Sequence, residues 1–169
     1  MKTWFEYSLN KRNGNGLVFH YLRVGKTTKI FEDLKTSTEQ YEIEWILHET
    51  DSFLEQYFGT LYEDIDGSII NFEVNEENLV EFRKDFWENY VWKTQHTPIV
   101  TAFIIPNSET PGSLTKTQIF DLLSLNRLND RAFELFESGK DDITEITNWL
   151  IRMTAIVHKK PRKKEEDEE

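Results

Sequence analysis

A chain of 169 residues is long enough for one domain that buries roughly 70% of the surface its unfolded form exposes. It contains no cysteine, which excludes disulfides, thiolate metal sites and a cysteine nucleophile. It also has no apolar run long enough for a signal peptide or a membrane span, so the expectation is an intracellular, cytoplasmic protein. A formal net charge of −11 argues against general binding to nucleic acid or to an anionic membrane, and it favours a basic partner.

Near the start, Phe5, Tyr7 and Leu9 alternate with Glu6 and Ser8, and Leu17 to Val24 is a second β-prone run. Between them the Asn13-Gly14 and Asn15-Gly16 pairs supply the positive φ of a tight turn, so the pattern predicts an opening β-hairpin. Residues 1–38 carry seven Lys or Arg against three Asp or Glu, a locally basic end. Lys11, Arg12, Arg23 and Lys26, beside Trp4, Phe5, Tyr7, Phe19 and Tyr21, are the residues a single-stranded nucleic acid would use here. Gly25-Lys26-Thr27-Thr28 matches the end of a phosphate-binding loop. The glycine that should stand five residues before Gly25 is His20, however, and no glycine-rich stretch precedes it.

Tyr41, Ile43 and Trp45 alternate with Glu42 and Glu44, the pattern of a half-buried strand over 41–47. Ser52 and Glu55 have capping-box spacing and open a short helix near 51–59 that stops at Gly59. Tyr62 to Glu73 then admits two readings. It resembles the twelve-residue calcium loop of EF-hand proteins at Asp64, Asp66, Gly67, Ile69 and Glu73, with Tyr62 in place of the first carboxylate. The other reading is an Asp66-Gly67 turn followed by a strand over 68–74, in which Ile70, Phe72 and Val74 share a face. Asn75 serves as cap for a helix over 75–92, whose apolar stripe is Leu79, Phe82, Phe86 and Tyr90.

Pro98 to Pro106 encloses a continuous apolar run suited to a strand over 98–105, buried on both faces. Pro111-Gly112 marks a surface loop. Beyond it the pattern predicts helices near 115–126, capped by Thr115 and Gln118, near 130–138, ending at Gly139, and near 142–158. The stretch 159–169 is a basic run followed by Glu165-Glu166-Asp167-Glu168-Glu169 and reads as a solvated, charged tail. The fold expected from these elements is a single α+β domain over 1–158. Its mostly antiparallel sheet, made of the hairpin and the strands near 41–47, 68–74 and 98–105, is covered by helices.

Chemistry-bearing motifs are sparse. Histidines 20, 48, 96 and 158 show no metal-ligand spacing, and no Gly-x-Ser-x-Gly elbow occurs, so neither a catalytic residue, a metal nor a cofactor is assigned. Charge is the stronger signal. Residues 39–90 hold fifteen Asp and Glu against Arg83 and Lys84 alone. Set among aromatic helix and strand segments, these carboxylates are expected in fixed positions, where they match a basic groove on another protein.

The expected function is therefore a non-enzymatic acidic interaction protein that binds a basic, nucleic-acid-binding partner. One form is a nucleic-acid-mimic inhibitor of a nuclease or host-defence complex, of the kind made by phages and mobile elements. Its candidate contacts are Glu42, Glu44, Glu49, Asp51, Glu55, Glu63, Asp64, Asp66, Glu76, Glu77, Glu81, Asp85 and Glu88. Two alternatives use other logic: an immunity protein against a basic toxin, and a nucleic-acid-binding accessory protein acting through the basic hairpin.

Overall fold

The computed structural model describes residues 16–25, 34–53, 62–95, 97, 99–107, 109 and 111–167, with side chains described as far as residue 157. Strands β1 (Gly16–Val24), β2 (Glu42–Thr50), β3 (Gly67–Phe72), β4 (Val100–Ile105) and β5 (Phe133–Glu137) form one sheet in the order β2-β1-β3-β4-β5. Every neighbouring pair is parallel, with Phe19 opposite Gly67 and Trp45, and Ile70 opposite Leu22 and Phe103. Among the described residues, three α-helices accompany the sheet: α1 (Leu79–Asp85), α2 (Lys116–Leu122) and α3 (Ile143–Asp167). The chain is thus a single α/β domain of Rossmann-like architecture, and the antiparallel α+β expectation is corrected.

Burial explains the parallel arrangement. A parallel sheet needs cover on both faces, and its inner strands then read as unbroken apolar runs. β3 and β4 are buried at every position, and β1 at all but Arg23. On one face, Val18, Leu22, Ile70, Phe72 and Phe103 pack under Phe82 of α1, Phe86 and Tyr90 just beyond it, and Ile119 of α2. On the other, Leu17, Phe19, Ile69, Ala102 and Ile104 pack under Ile146 and Leu150 of α3. Leu150 comes so close that a Cβ on Gly67 would lie 3.0 Å from its Cδ1.

Several sequence expectations shift. β1 has a parallel partner on each side from Phe19 onward, which leaves no hairpin pairing there; residues 3–9 lie outside the described residues. The segment expected as a helix near 130–138 is β5, because it pairs in parallel with β4, with Phe133 and Leu135 packed on one face of the sheet and Phe136 on the other, and Gly139 (φ +86°) turns the chain afterwards. Most of the helix expected near 51–59 falls outside the described residues; within them, Ser52 Oγ donates to Asp85 Oδ2 (3.0 Å).

The helix over 75–92 begins later, at Leu79, and continues past α1 through a wide π turn (Phe86–Val91) and a 3-10 turn (Trp92–Thr94). Asn75 caps the turn before it, accepting from the N–H of Glu77 (2.9 Å) and Asn78 (3.0 Å). The Thr115–Gln118 capping box forms as expected. α3 extends to Asp167, so the backbone of the charged tail is helical that far.

Candidate functional site at the carboxyl edge of the sheet

In open α/β sheets a ligand sits outside the carboxyl ends of the strands, at the point where the strand order reverses. Here the reversal lies between β1 and β3, and the described residues that meet at that edge are 23–25, 49–52, 73–78, 106–107, 109 and 137–142. The Gly25 N–H donates to Thr50 O (2.8 Å) and takes a φ of +98°, which turns the chain off the sheet. Ser138 N donates to Ile105 O (2.8 Å), and a Cβ on Gly139 would lie 3.4 Å from Asn107 Nδ2, so the β4 and β5 exits are held side by side.

That edge is acidic. Among its described residues, Glu49, Asp51, Glu73, Glu76, Glu77, Glu109, Glu137, Asp141 and Asp142 face two cations, Arg23 and Lys140, and both cations are engaged. Arg23 pairs with Glu49 (3.5 Å) and donates to Gly25 O, and Lys140 pairs with Glu137 (3.7 Å). Asp51, Glu76 and Glu77 are exposed.

A phosphate cradle is not formed before Gly25. The residues that would have to loop are the second half of β1, and His20 stands mid-strand, fully buried. Among the described residues of this edge, a phosphate would also meet carboxylates.

The predicted acidic block does not come together as one surface. Glu49, Asp51, Glu76 and Glu77 lie at the carboxyl edge, while Glu42, Glu63 and Asp64 lie at the amino edge; Glu55 falls outside the described residues. Glu42 and Glu49 are seven residues apart on one strand, about 23 Å at about 3.3 Å per residue. Glu81 and Glu88 are exposed on the long helix, and Glu44 is half-buried mid-strand in β2.

Two of the predicted contacts are structural. Asp66 is fully buried, with Oδ2 accepting the Val18 N–H (2.9 Å), which ties the turn before β3 to β1. Asp85 accepts from Ser52 Oγ (3.0 Å), Phe53 N (2.9 Å) and Asn89 Nδ2 (2.7 Å), which fastens the exit of β2 to the helix. Of the basic candidates, Arg23 is the one described; Lys11, Arg12 and Lys26 fall outside the described residues. The EF-hand resemblance is likewise set aside by the structure, since Gly67 to Phe72 is an interior strand and Tyr62 is core.

Sequence reasoning missed a buried polar seam. Sheet register brings His20 and His48 together, Nε2 to Nδ1 2.8 Å apart, and His20 Nδ1 lies 3.0 Å from Tyr62 Oη. Tyr62 Oη is 3.3 Å from Ser68 Oγ. Tyr62, Tyr90 and Arg131 then interact in turn, and Arg131 donates from Nη1 to Thr94 Oγ1 (2.8 Å) and from Nε and Nη2 to the two oxygens of Asp130 (3.0 Å each). Burial lowers the pKa of His20 well below its ordinary value, with the His48 ring adding to it, and burial lowers His48 as well. Burial also pushes the Tyr62 phenol well above its usual value, so it remains protonated. No spacing signal marks this seam, because its members come from five separate segments.

Among the described residues, no group of three or more His, Asp or Glu is disposed to hold a metal ion. No described helix is long and apolar enough to cross a membrane. Compared with protein-family models and with curated proteins, the chain matches none.

Proposed function

We propose that this chain is a non-enzymatic binding module that presents the acidic carboxyl edge of its sheet to a basic surface on a partner protein. The observation that carries this reading is the coincidence of two features: the edge where the topology leaves a crevice is also where, among the described residues, nine carboxylates face two already paired cations. Carboxylates fixed on strand ends steer a cationic partner and disfavour an anionic one. The edge spans four inter-strand gaps, about 19 Å at about 4.8 Å each, which suits a compact basic patch. An inhibitor of a nuclease and an immunity protein for a basic toxin both have this form, and the identity of the partner separates them.

The test is capture from the native host by the immobilised full chain, at low and at high salt, beside the triple variant Asp51→Lys, Glu76→Lys, Glu77→Lys. All three positions are exposed, so the fold is expected to tolerate the change. A basic protein retained at low salt, released at high salt and absent with the variant is the expected result. Retention of the same proteins by the variant, or of nucleic acid alone, overturns the reading.

A further inference from the structure

On the outer side of the first helix, Val80, Arg83, Lys84, Trp87 and Glu88 face Ser124 and Arg127 across a groove of about 350 Å³. The turn that bears Arg127 is held in place from two sides. Trp87 Nε1 donates to Leu123 O (2.7 Å) and Arg83 Nη2 donates to Ser124 Oγ (2.9 Å), so the indole and the guanidinium are fixed at the groove floor and rim. Val80 is 80% exposed, while Trp87 is half-buried.

Arg83, Lys84 and Arg127 share this groove with a single carboxylate, Glu88, in a chain of net charge −11. The ion pairs formed among the described residues join Arg23 to Glu49, Arg131 to Asp130 and Lys140 to Glu137, so none of the three groove cations is neutralised that way.

We propose that this groove docks a short acidic peptide segment of a partner protein, with one apolar side chain against Val80 and Trp87 and carboxylates on Arg83, Lys84 and Arg127. Charge complementarity decides the occupant. Three cations around an apolar floor match two or three carboxylates flanking one apolar residue, and guanidinium groups favour planar carboxylates. A polynucleotide fits less well. Its phosphates continue past the groove, where Glu81 and Asp121 are exposed, and they also meet Glu88 in the groove itself. The surface is distinct from the acidic carboxyl edge and takes a partner of opposite charge.

The experiment is fluorescence anisotropy of the full chain with a labelled seven-residue peptide of glutamates around one central phenylalanine. Three controls accompany it: the same peptide with lysines for glutamates, the same peptide with alanine for phenylalanine, and a labelled oligothymidine. Saturable binding of the first peptide is expected, with the lysine peptide silent and the alanine peptide weaker. Lys84→Glu combined with Arg127→Glu, both at exposed positions, is expected to weaken binding by roughly tenfold or more. An amide-shift map should confine the response to Arg83, Lys84, Trp87, Ser124 and Arg127. The proposal fails if the acidic peptide does not bind, if the double variant binds it equally, if the oligothymidine binds in its place, or if the variant alters only self-association in sedimentation.

Discussion

Lowering the pH from 7 to 5 should cost this protein stability through His20. The ring is fully buried in β1, with Nδ1 against Tyr62 and Nε2 against His48, and burial holds its pKa well below the 6.5 of an exposed histidine. In the unfolded chain it titrates near 6.5 again, so between that value and the lowered folded one the unfolded state binds a proton that the folded state does not. Well above pH 6.5 the ring is neutral in both states and its contribution to stability is complete. As the pH falls through the window, that contribution is lost at up to about 1.4 kcal/mol per unit.

Between pH 7 and 5 the loss for an imidazole that stays neutral in the fold is about 2 kcal/mol. His48, half-buried and also lowered, contributes in the same direction by less. The groups facing the pair are the Tyr62 phenol, neutral throughout, and through it the Ser68 hydroxyl. Among the described residues no carboxylate bonds to either ring, so nothing there offsets a second positive charge. Urea unfolding at pH 7, 6 and 5 should show this loss in the native chain. The variant His20→Gln should start less stable at pH 7 and follow a flatter line. Parallel lines for the two proteins, or a His20 ring proton that titrates freely between pH 7 and 5, would refute the reasoning.

The remaining expectations concern packing and capping. Asp85→Ala removes an acceptor used by three donors and should lower unfolding free energy by about 2 to 3 kcal/mol in urea, with no dependence on any partner. Leu150→Ala opens the contact between α3 and β3 and should cost about 3 kcal/mol by the same assay. Gly67→Ala places a methyl 3.0 Å from Leu150 Cδ1 and 3.1 Å from Phe19 Cε1, and a loss of about 1 to 3 kcal/mol is expected by thermal unfolding. Thr115→Ala breaks the capping box of α2 and should cost about 1 kcal/mol, without affecting anything at the carboxyl edge.

Most strands were legible in the sequence, but their direction was not. The run over 17–24 signals a strand, and that over 98–105 a strand buried on both faces; the structure has them as β1 and β4, with β1 in parallel pairing and not in a hairpin. β2 and β5 are the edges, and edge strands alternate polar and apolar residues as antiparallel ones do, so Tyr41 to Leu47 suggested the wrong partner geometry. Five residues of Phe133–Glu137 carry both a helical and a strand reading, and only pairing with β4 decides between them. The repeated alternation of strand and helix from Gly67 onward was the available clue to a parallel sheet. The charge density of the middle segment was readable, but its division between two edges follows from strand direction. The His20–His48 contact depends on sheet register, which spacing along the chain does not encode.

This division of charge determines how any charge-reversal scan is to be interpreted. The two edges are separated by about 23 Å along β2, well over twice the Debye length of about 8 Å at physiological salt, so carboxylates at one edge hardly sense a cation docked at the other. Salt sensitivity of binding should therefore track the carboxyl-edge groups and be indifferent to Glu42 and Glu63. Asp66 and Asp85 belong to the same acidic stretch but hold backbone N–H groups in place, so reversing them reports on folding and not on recognition. The polar seam lies mainly toward the amino half, built from Tyr62, Ser68, Thr94 and Arg131, away from the exposed Asp51, Glu76 and Glu77. The residues that set stability and those proposed to meet a partner thus occupy different parts of the sheet. If Asp51, Glu76 and Glu77 contribute to binding alone, their reversal leaves the urea midpoint unchanged while the partner is lost, and a coupled fall in both would place them in the scaffold.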